Sequence, residues 1–395
     1  IVLTLSLFSL LAVYSSTGTL AYKYRSGNTE YYLIKQILII GGGPSGLCAA
    51  LMLLESNLNV IIVDRGMSLG GQLVKQTHKF FGSQKQYAKT RGFNIAKILI
   101  NKVIEHPNLT VYQQATVLGL YPDKVATILH EDTYKKIQSR AIIVATGASE
   151  KFLAFENNDL PGIFGAGAIQ TLMNQFGVLP AKEVVMIGSG NIGLIVSYQL
   201  IQAGVKVAAV IEASSKIGGY KVHASKLRRL GVAIYTNKTI KRAIGDTKVQ
   251  GLEVVSLDDQ FQEIEDTTMM IKADGICISV GLAPGYQMLD MVGAKTAYIS
   301  ELGGTIPLVD KHHMTTVSGI FSCGDNIGIE EASSAMMEGY LTGLYVSKYL
   351  EQKHHDYDLK VSGYESELTI LRAGPFGDKT RKGLDKMKEL MAHAG

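Results

Sequence analysis

A strand–turn–helix–strand pattern that occurs twice is the feature that most constrains the fold. In the first copy the apolar run Gln36–Ile40 leads into Gly41-x-Gly43-x-x-Gly46, which we call the first fingerprint. A helical segment follows at 45–56, and a second apolar run, Val60–Val63, ends at Asp64. Short apolar runs bounded by turn residues are typical of buried parallel strands.

The second copy begins with the apolar run Glu183–Ile187 and carries Gly188-x-Gly190-x-x-Gly193, the second fingerprint. A helix is predicted at 191–203, and a strand at 205–211 ends at Glu212. Strands that alternate with helices favour parallel sheets. We therefore predict an α/β fold with two Rossmann-like dinucleotide-binding domains.

Each fingerprint has the residues that a dinucleotide needs. The first glycine allows a tight turn, the second lets the backbone approach a pyrophosphate, and the third lets helix and strand pack closely. The helix N-terminus offers N–H groups to phosphates. Asp64 lies 18 residues after Gly46 and Glu212 lies 19 residues after Gly193, where a carboxylate accepts ribose hydroxyl hydrogen bonds. The alternative at the first fingerprint is a glycine-rich packing turn.

The second site favours NAD(H) over NADP(H). A glutamate at position 212 would repel a 2′-phosphate, and no arginine follows closely, since Ala213-Ser214-Ser215 precedes Lys216. A duplicated domain can also keep its fold and lose its ligand, so a silent second site stays open. Two dinucleotide folds in one chain suggest a nicotinamide that delivers hydride to a flavin.

Composition narrows the class of protein. A chain of 395 residues suggests two or three domains, and 46% apolar residues exclude disorder as the main state. A net charge of +4 gives no support to a nucleic-acid partner. Three distant cysteines without a CxxC exclude a disulfide framework and a cysteine-rich metal site, and favour a reducing, cytoplasmic compartment. Cys48 and Cys277 are predicted core residues, and Cys323 either packs or approaches a cofactor.

The termini and the connecting segments are less informative. Residues 1–31 begin with the apolar run Ile1–Tyr14, which is a fragment edge or translated upstream stretch, a signal or anchor, or part of the fold. A membrane-associated or exported form therefore stays open. Residues 157–167 are predicted as a linker, 331–350 as a long helix, and 351–395 as a tail with a basic helix near Lys379–Met391.

The order of motifs resembles the thioredoxin-reductase-like branch of the pyridine nucleotide–disulfide oxidoreductases, over roughly residues 34–350. The matching motifs are the two fingerprints, Gly70-Gly71-Gln72, Ala145-Thr146-Gly147 and Cys323-Gly324-Asp325. The resemblance implies an FAD-binding domain in two halves, 32–155 and 275–350. The NAD(P)-binding domain, 156–274, would be inserted between them.

The resemblance also implies the residues that hold each cofactor. Asp64 would bind the adenosine ribose, Val117 would lie near the adenine, and Asp325 would hold a ribityl hydroxyl. The full FAD set is Gly41, Gly43, Pro44, Ser45, Gly46, Asp64, Arg65, Gly70, Gly71, Gln72, Val117, Thr146, Gly147, Gly324 and Asp325. The NAD set is Gly188, Gly190, Asn191, Gly193 and Glu212.

One departure changes the expected activity. Thioredoxin reductases carry a CxxC just before the strand of the second fingerprint, and this chain has none at 165–170 or elsewhere. Without a dithiol, disulfide exchange is not expected. The stretches 70–91 and 216–220 are similar to the dithiol-lacking FAD/NAD subunits of opine oxidase, hydrogen cyanide synthase and sarcosine oxidase-type enzymes. Some of those carry a cysteine-rich [2Fe–2S] segment, which is absent here.

The function expected from this resemblance is a subunit of a multi-component amine or amino-acid-derivative dehydrogenase. Its partners would be a second flavoprotein subunit, a small iron–sulfur protein, or both, in a homo- or hetero-oligomer. No catalytic acid or base is assigned. The alternatives are a stand-alone NADH:acceptor reductase, a flavin-binding scaffold with a silent nicotinamide site, and an RNA-modifying flavoprotein suggested by the basic tail.

Histidines give two further expectations. His78 and Lys79 follow the Gly-Gly-Gln turn and either approach the flavin or lie on a surface loop. The adjacent pairs 312–313 and 354–355 should point apart, so no metal site is predicted from them.

Overall fold

The computed structural model describes residues 36–80 and 83–394, so the predictions for 1–31 lie outside the described residues. The strands are β1 Gln36–Ile40, β2 Asn59–Val63, β3 Leu109–Tyr112, β4 Thr116–Leu120, β5 Val125–His130, β6 Thr133–Gln138, β7 Ala141–Val144, β8 Ala148–Glu150, β9 Ile163–Gly165, β10 Glu183–Ile187, β11 Lys206–Ile211, β12 Ala233–Tyr235, β13 Lys238–Ile244, β14 Gly251–Ser256, β15 Met269–Lys272, β16 Gly275–Ile278, β17 Leu282–Pro284, β18 Thr296–Ile299, β19 Gly304–Pro307 and β20 Ile320–Ser322. The helices are α1 Pro44–Glu55, α2 Gly92–Asn101, α3 Ala166–Phe176, α4 Asn191–Gln202, α5 Lys221–Arg229, α6 Gln287–Met291, α7 Ala332–Tyr349, α8 Tyr357–Leu371 and α9 Asp378–Ala392.

The described chain divides into two compact units. Of the described residues, the first unit contains 36–73, 95–148 and 284–394. The second unit contains 74–94 and 149–283. Residues 74–94, 149–155 and 275–283, which the sequence analysis places with the FAD-binding halves, thus pack within the second unit.

The first unit is built on a five-stranded parallel sheet in the order β3-β2-β1-β7-β20. Strand β1 lies in the centre, with Ile40 level with Val63 of β2 and Val144 of β7. The side chains of Ile37, Leu38, Ile39 and Ile40 are buried because helices and strands cover a parallel sheet on both faces. The carboxyl ends of these strands therefore meet at one edge, where the first fingerprint follows β1.

The second unit repeats the arrangement. Its five-stranded parallel sheet has the order β12-β11-β10-β16-β9, with β10 in the centre and the second fingerprint at its carboxyl end. Each unit also contains a three-stranded antiparallel sheet, β4-β5-β6 in the first and β13-β14-β15 in the second. The predicted α/β class with parallel sheets is confirmed.

The predicted linker and the predicted tail differ from the structure. The predicted linker at 157–167 is wrong in its second half, because Ile163–Gly165 forms β9 and pairs with β16. An edge strand of three residues is too short to show the alternation of apolar and polar residues that predicts a strand. The tail contains a helix, α8, that the sequence analysis did not identify.

The last helix, α9, packs within the first unit. Met387 is buried against a small core around Leu302 and Ile306. Lys386 Nζ lies 2.5 Å from Glu301 Oε1, so part of the basic face of α9 pairs with an acidic residue of the same protein. Among the described residues, no helix combines the length and the apolar character needed to cross a membrane.

Candidate functional site

The first fingerprint forms a tight cradle at the end of β1. Gly41 has φ +106°, and a Cβ there would overlap the carbonyl oxygen of Ala145, which directly follows β7. A Cβ on Gly46 would overlap the carbonyl oxygen of Gly41, which brings α1 close to β1. At Gly43 the nearest atom to an added Cβ is 3.9 Å away, so the space above this residue is open. Gly41 and Gly46 thus make the expected tight turn and close helix–strand packing, and Gly43 leaves the space that a pyrophosphate would need.

Asp64 organises this loop from the end of β2. Its two carboxylate oxygens accept the N–H groups of Gly42 and Gly66, each at 2.7 Å. A carboxylate has about four acceptor positions, so two remain for ribose hydroxyls. Asp64 therefore fixes the loop and can still accept hydrogen bonds from a ribose.

The Gly-Gly-Gln turn lies directly against the first fingerprint. Gly70 donates its N–H to the carbonyl oxygen of Gly42 at 2.7 Å. Gly71 has φ +53°, and a Cβ there would be 2.8 Å from the Cα of Gly43. Gln72 is exposed, so its side chain is available to a ligand at this edge.

The other predicted FAD residues of the first unit lie at several places. Pro44 is the first residue of α1 and Ser45, buried, is the second. Arg65 is exposed after Asp64, and Val117 is half-buried in β4.

Asn326 joins the end of β7 to the chain that follows β17, and sequence reasoning missed it. It is fully buried, and its Oδ1 accepts the N–H of Gly147 at 2.7 Å. Its Nδ2 donates to Thr146 Oγ1 at 2.8 Å and to the carbonyl oxygen of Gly285 at 2.6 Å. The signal in the sequence was its place directly after Gly324-Asp325. Gly147, with φ +75° and no atom within 4 Å of an added Cβ, faces open space.

The Gly324–Asp325 turn follows β20. Burial raises the pKa of Asp325 to about 7, and the nearby Glu330 and Glu331 contribute in the same direction. The hydrogen bond that Asp325 Oδ1 accepts from the N–H of Glu330 is long, at 3.4 Å. Asp325 is therefore a carboxyl group with weak partners, as a residue that awaits ligand hydroxyls would be.

The second fingerprint repeats the geometry of the first within the second unit. Gly188 has φ +103°, and an added Cβ would overlap the carbonyl oxygen of Ser279. A Cβ on Gly193 would overlap the carbonyl oxygen of Gly188. At Gly190, no atom lies within 4 Å of an added Cβ. The middle glycine is again the one with open space above it.

Glu212 takes the place that Asp64 has in the first unit. One of its oxygens accepts from Ser189 N at 2.9 Å and from Ser189 Oγ at 2.5 Å, and the other accepts from Ser214 N at 2.9 Å. The segment 216–220 then folds against the fingerprint. Gly219 N donates to the carbonyl oxygen of Ser189 at 2.8 Å, and Tyr220 N donates to Asn191 Oδ1 at 2.8 Å.

Both cradles fit an adenine dinucleotide. Each combines an open middle glycine at a helix N-terminus with a carboxylate at the end of the next strand. The middle glycine leaves the space for the dinucleotide, and the backbone N–H groups of the helix N-terminus are the hydrogen-bond donors.

The three cysteines are core residues. Cys48, Cys277 and Cys323 are all fully buried and unpaired. Burial raises the pKa of Cys48 and of Cys323 to about 12 and the pKa of Cys277 well above its usual value. They stay as thiols at neutral pH, so none of them has thiolate character. The packing predicted for Cys48 and Cys277 is confirmed by their burial.

The histidines differ from their predictions. The rings of His354 and His355 stack, with their centroids 4.3 Å apart. The expectation that adjacent side chains point apart is therefore wrong here. His354 Nε2 pairs with Glu55, and its Nδ1 accepts the N–H of Asp356, so both nitrogens are engaged. The rings of His312 and His313 both pack edge-on against the ring of Tyr345, with centroid distances of 5.1 and 5.5 Å.

His78 belongs to the second unit rather than to the first fingerprint. Burial lowers its pKa to about 4, and His223 and Lys226 of α5 contribute in the same direction. Its neighbour Lys75 donates to the carbonyl oxygen of Gly167 at 3.0 Å, and Thr77 Oγ1 accepts from Gln199 at 2.8 Å. Tertiary packing on α3 and α4 therefore fixes this segment.

The chain is similar in sequence to known proteins. Over 328 residues the chain is 24% identical to a subunit of opine oxidase from Agrobacterium tumefaciens (strain Ach5), a match that covers 78% of this chain and 64% of that protein. It is 25% identical over 332 residues to thioredoxin reductase of Buchnera aphidicola subsp. Baizongia pistaciae, covering 81% of this chain and 95% of that enzyme.

A solved structure supports the fold. The crystal structure of L-proline dehydrogenase from P. horikoshii matches with a TM-score of 0.64 and 24% identity, covering 85% of this chain and 59% of that chain. The chain thus spans less than two thirds of the length of this structure and of the opine oxidase protein.

Residues 35–339 match the pyridine nucleotide-disulphide oxidoreductase family, whose members bind FAD and NAD(P). This range contains both fingerprints, both carboxylates and the Gly324–Asp325 turn. The resemblance inferred from the ordered motifs is confirmed. With its duplicated cradles and this match over most of its length, the chain belongs to the pyridine nucleotide-disulphide oxidoreductase family of FAD- and NAD(P)-dependent oxidoreductases.

Proposed function

We propose that the chain binds FAD at the first fingerprint and NAD(H) at the second, and exchanges hydride between the two cofactors. The observation that carries the proposal is the repeated cradle, open above Gly43 in one unit and above Gly190 in the other. In this proposal both units are Rossmann-like dinucleotide-binding domains, and the NAD-binding domain is inserted into the FAD-binding domain.

The residues of the first unit would hold FAD by its polar parts. The N-terminus of α1 and the backbone of the first fingerprint would bind the pyrophosphate, and Asp64 the adenosine ribose. Asp325 and Gly324 would lie against the ribityl chain, and Asn326 would keep Thr146 and Gly147 in place. When bound, FAD supplies the hydride chemistry, and the chain supplies position and electrostatics.

The second unit would prefer NAD(H). Two oxygens of Glu212 are already held by backbone and hydroxyl donors, which keeps the carboxylate at the end of β11. A 2′-phosphate brought to this place would face a fixed negative charge. Glu212 would thus accept from a free 2′-hydroxyl and repel the phosphate.

We further propose that the chain is the electron-transferring subunit of a multi-component dehydrogenase that acts on an amine or an amino-acid derivative. The support is the similarity to the opine oxidase protein over 78% of this chain. Its partner would be a second flavoprotein subunit, a small iron–sulfur protein, or both. Disulfide reduction is not proposed despite the thioredoxin reductase likeness, because all three cysteines are buried and unpaired.

Anaerobic titration of the purified yellow protein with NADH, and separately with NADPH, tests the hydride exchange. Rapid bleaching of the visible flavin absorption with NADH, and slower bleaching with NADPH, is expected. Bound FAD that neither nucleotide bleaches would contradict the exchange and support the alternative of a scaffold with a silent nicotinamide site. Fast turnover with NADH and a free acceptor, without any partner, would instead support a stand-alone reductase.

A matched pair of variants separates the two sites. Gly43 and Gly190 both have extended backbone, which any residue adopts, and both have room for a methyl group. Gly43→Ala should weaken FAD binding about ten-fold or more, because the methyl occupies the approach of the pyrophosphate. Gly190→Ala should keep FAD and lose the bleaching by NADH. Loss of FAD in both variants would contradict the assignment of separate sites.

A further inference from the structure

We propose that Arg372, in the C-terminal tail, is a positioning residue for the FAD site that acts through Glu338 and Glu330 on the Gly324–Asp325 turn. The inference rests on the proposed function, because it requires FAD to bind at that turn. Every residue involved lies in the first unit.

The guanidinium group of Arg372 binds two carboxylates at once. Arg372 directly follows α8, and its side chain is 16% exposed. Its Nε lies 3.0 Å from both oxygens of Glu330, and its Nη2 lies 2.5 Å from Glu330 Oε1. The same Nη2 donates to Oε1 of Glu338. This bidentate geometry is specific to arginine, since a lysine offers no planar fork.

Glu338 connects Arg372 in the tail with the Gly324–Asp325 turn. Its side chain, on α7, is only 4% exposed, and its second oxygen accepts the N–H of Gly324 at 2.9 Å. Burial raises the pKa of Glu338, and the positive charge of Arg372 opposes that shift. Arg372 therefore helps to keep Glu338 ionised and thus a strong acceptor for the N–H of Gly324.

Glu330 makes the second connection. Its side chain is held by Arg372 while its backbone N–H reaches Asp325 Oδ1 at 3.4 Å. The turn lies close against the start of α1, because an added Cβ on Gly324, which has φ +68°, would be 2.6 Å from Ser45 Oγ. Displacing the turn would therefore change the place of Asp325 relative to the start of α1.

The test is the affinity of the deflavinated full-length protein for FAD, measured by quenching of FAD fluorescence. Arg372→Met should weaken FAD binding about 10- to 100-fold, by analogy with the loss of a residue that orients a metal ligand. Arg372→Lys should be intermediate, because it keeps the charge and loses the fork.

Lys360→Met is the matched control. Lys360 lies on α8 and pairs with Glu55 of α1 at 2.6 Å, so it also docks the helix through a half-buried ion pair. It makes no hydrogen bond or ion pair with the described residues of the turn, and its replacement should leave the affinity for FAD within about two-fold of wild type. Thermal unfolding of each apoprotein shows whether the variants are folded.

A double variant distinguishes positioning from general docking of the tail. In Arg372→Met with Glu338→Gln, the neutral amide oxygen can accept the N–H of Gly324 without a counter-charge, so much of the lost affinity should return. Equal weakness of the single and double variants would overturn the role of Glu338, and unchanged affinity in Arg372→Met would overturn the proposal. Wild-type protein that takes up no FAD would instead contradict the proposed function.

Discussion

Asp325 is a residue whose environment costs the folded protein stability. Burial and two neighbouring glutamates raise the pKa of its carboxyl to about 7 from the usual 3.8. A carboxyl group whose pKa is raised in the folded state costs no stability below its unfolded pKa, where it is protonated in both states. The cost grows as the pH rises, and it is complete above the folded pKa. The cost in the apoprotein is therefore complete above about pH 7. Such a cost is common where a residue serves a ligand.

Replacement of Asp325 by asparagine should stabilise the apoprotein at pH 8 and have little effect near pH 4. Each pKa unit corresponds to about 1.4 kcal/mol, so a gain on the order of 2–4 kcal/mol at pH 8 is expected in the free energy of unfolding. Denaturant unfolding of both apoproteins at the two pH values measures it. An equal effect at pH 4 and pH 8 would show that the charge of Asp325 is not the cause.

At the scale of the elements, α1 and α7 meet through two glycines. A Cβ on Gly339 would overlap the carbonyl oxygen of Ser45, and one on Gly343 would be 2.5 Å from the carbonyl oxygen of Ala49. Glycine inside a helix costs about 1 kcal/mol relative to alanine, so these positions reflect packing rather than helix propensity. The close approach holds the start of α1, where the pyrophosphate would bind, against α7.

Gly339→Ala should therefore destabilise the protein by about 1–3 kcal/mol, although alanine is the better helix former. Gly363 on α8 is the control, since it is exposed and no atom lies within 4 Å of an added Cβ. Gly363→Ala should stabilise by about 0.5–1 kcal/mol. Chemical denaturation compares the two, and the same sign of change in both would contradict the packing argument.

At the scale of the whole molecule, the chain contains the same five-stranded parallel order twice, each copy with a central strand that leads into a fingerprint. The units are not contiguous in sequence. Segment 74–94 directly follows the Gly-Gly-Gln turn of the first unit but packs within the second. Asn174 donates to the carbonyl oxygen of Lys75 at 2.7 Å, and Gln199 donates to Thr77, so polar contacts with α3 and α4 hold it there.

Amide hydrogen exchange should follow this division. FAD should slow exchange in 36–73, 95–148 and 284–372, whereas NADH should slow it in 149–283 and also in 74–94. Ligand binding stabilises the unit that holds the ligand by mass action, and exchange reports such local stability. Protection of 74–94 by FAD alone, with no change on adding NADH, would contradict the assignment of this segment.

Much of the fold was predictable because its signals are local. The strands at 36–40 and 183–187 were predicted with the bounds that the structure has, since a short apolar run before a glycine turn has few other stable conformations. Helices α1, α4, α7 and α9 were predicted to within one residue at each end for the same reason. Strand β9 and helix α8 are among the elements that were not predicted, the first because three residues show no hydropathy period and the second because its buried residues are few.

Some residues of the candidate site were likewise predictable from the sequence, and others were not. The glycines and the two carboxylates, Asp64 and Glu212, follow from spacing alone, because each acts on backbone close to its own βαβ unit. The contacts of Asn326, Glu338 and Arg372 join residues from 14 to 180 positions apart, and such pairs carry no spacing signal. Sequence by itself determined the family, the two cradles and the absence of a CxxC. Tertiary structure decided which distant polar groups meet at the Gly324–Asp325 turn, since buried charges are retained only where folding brings them a partner.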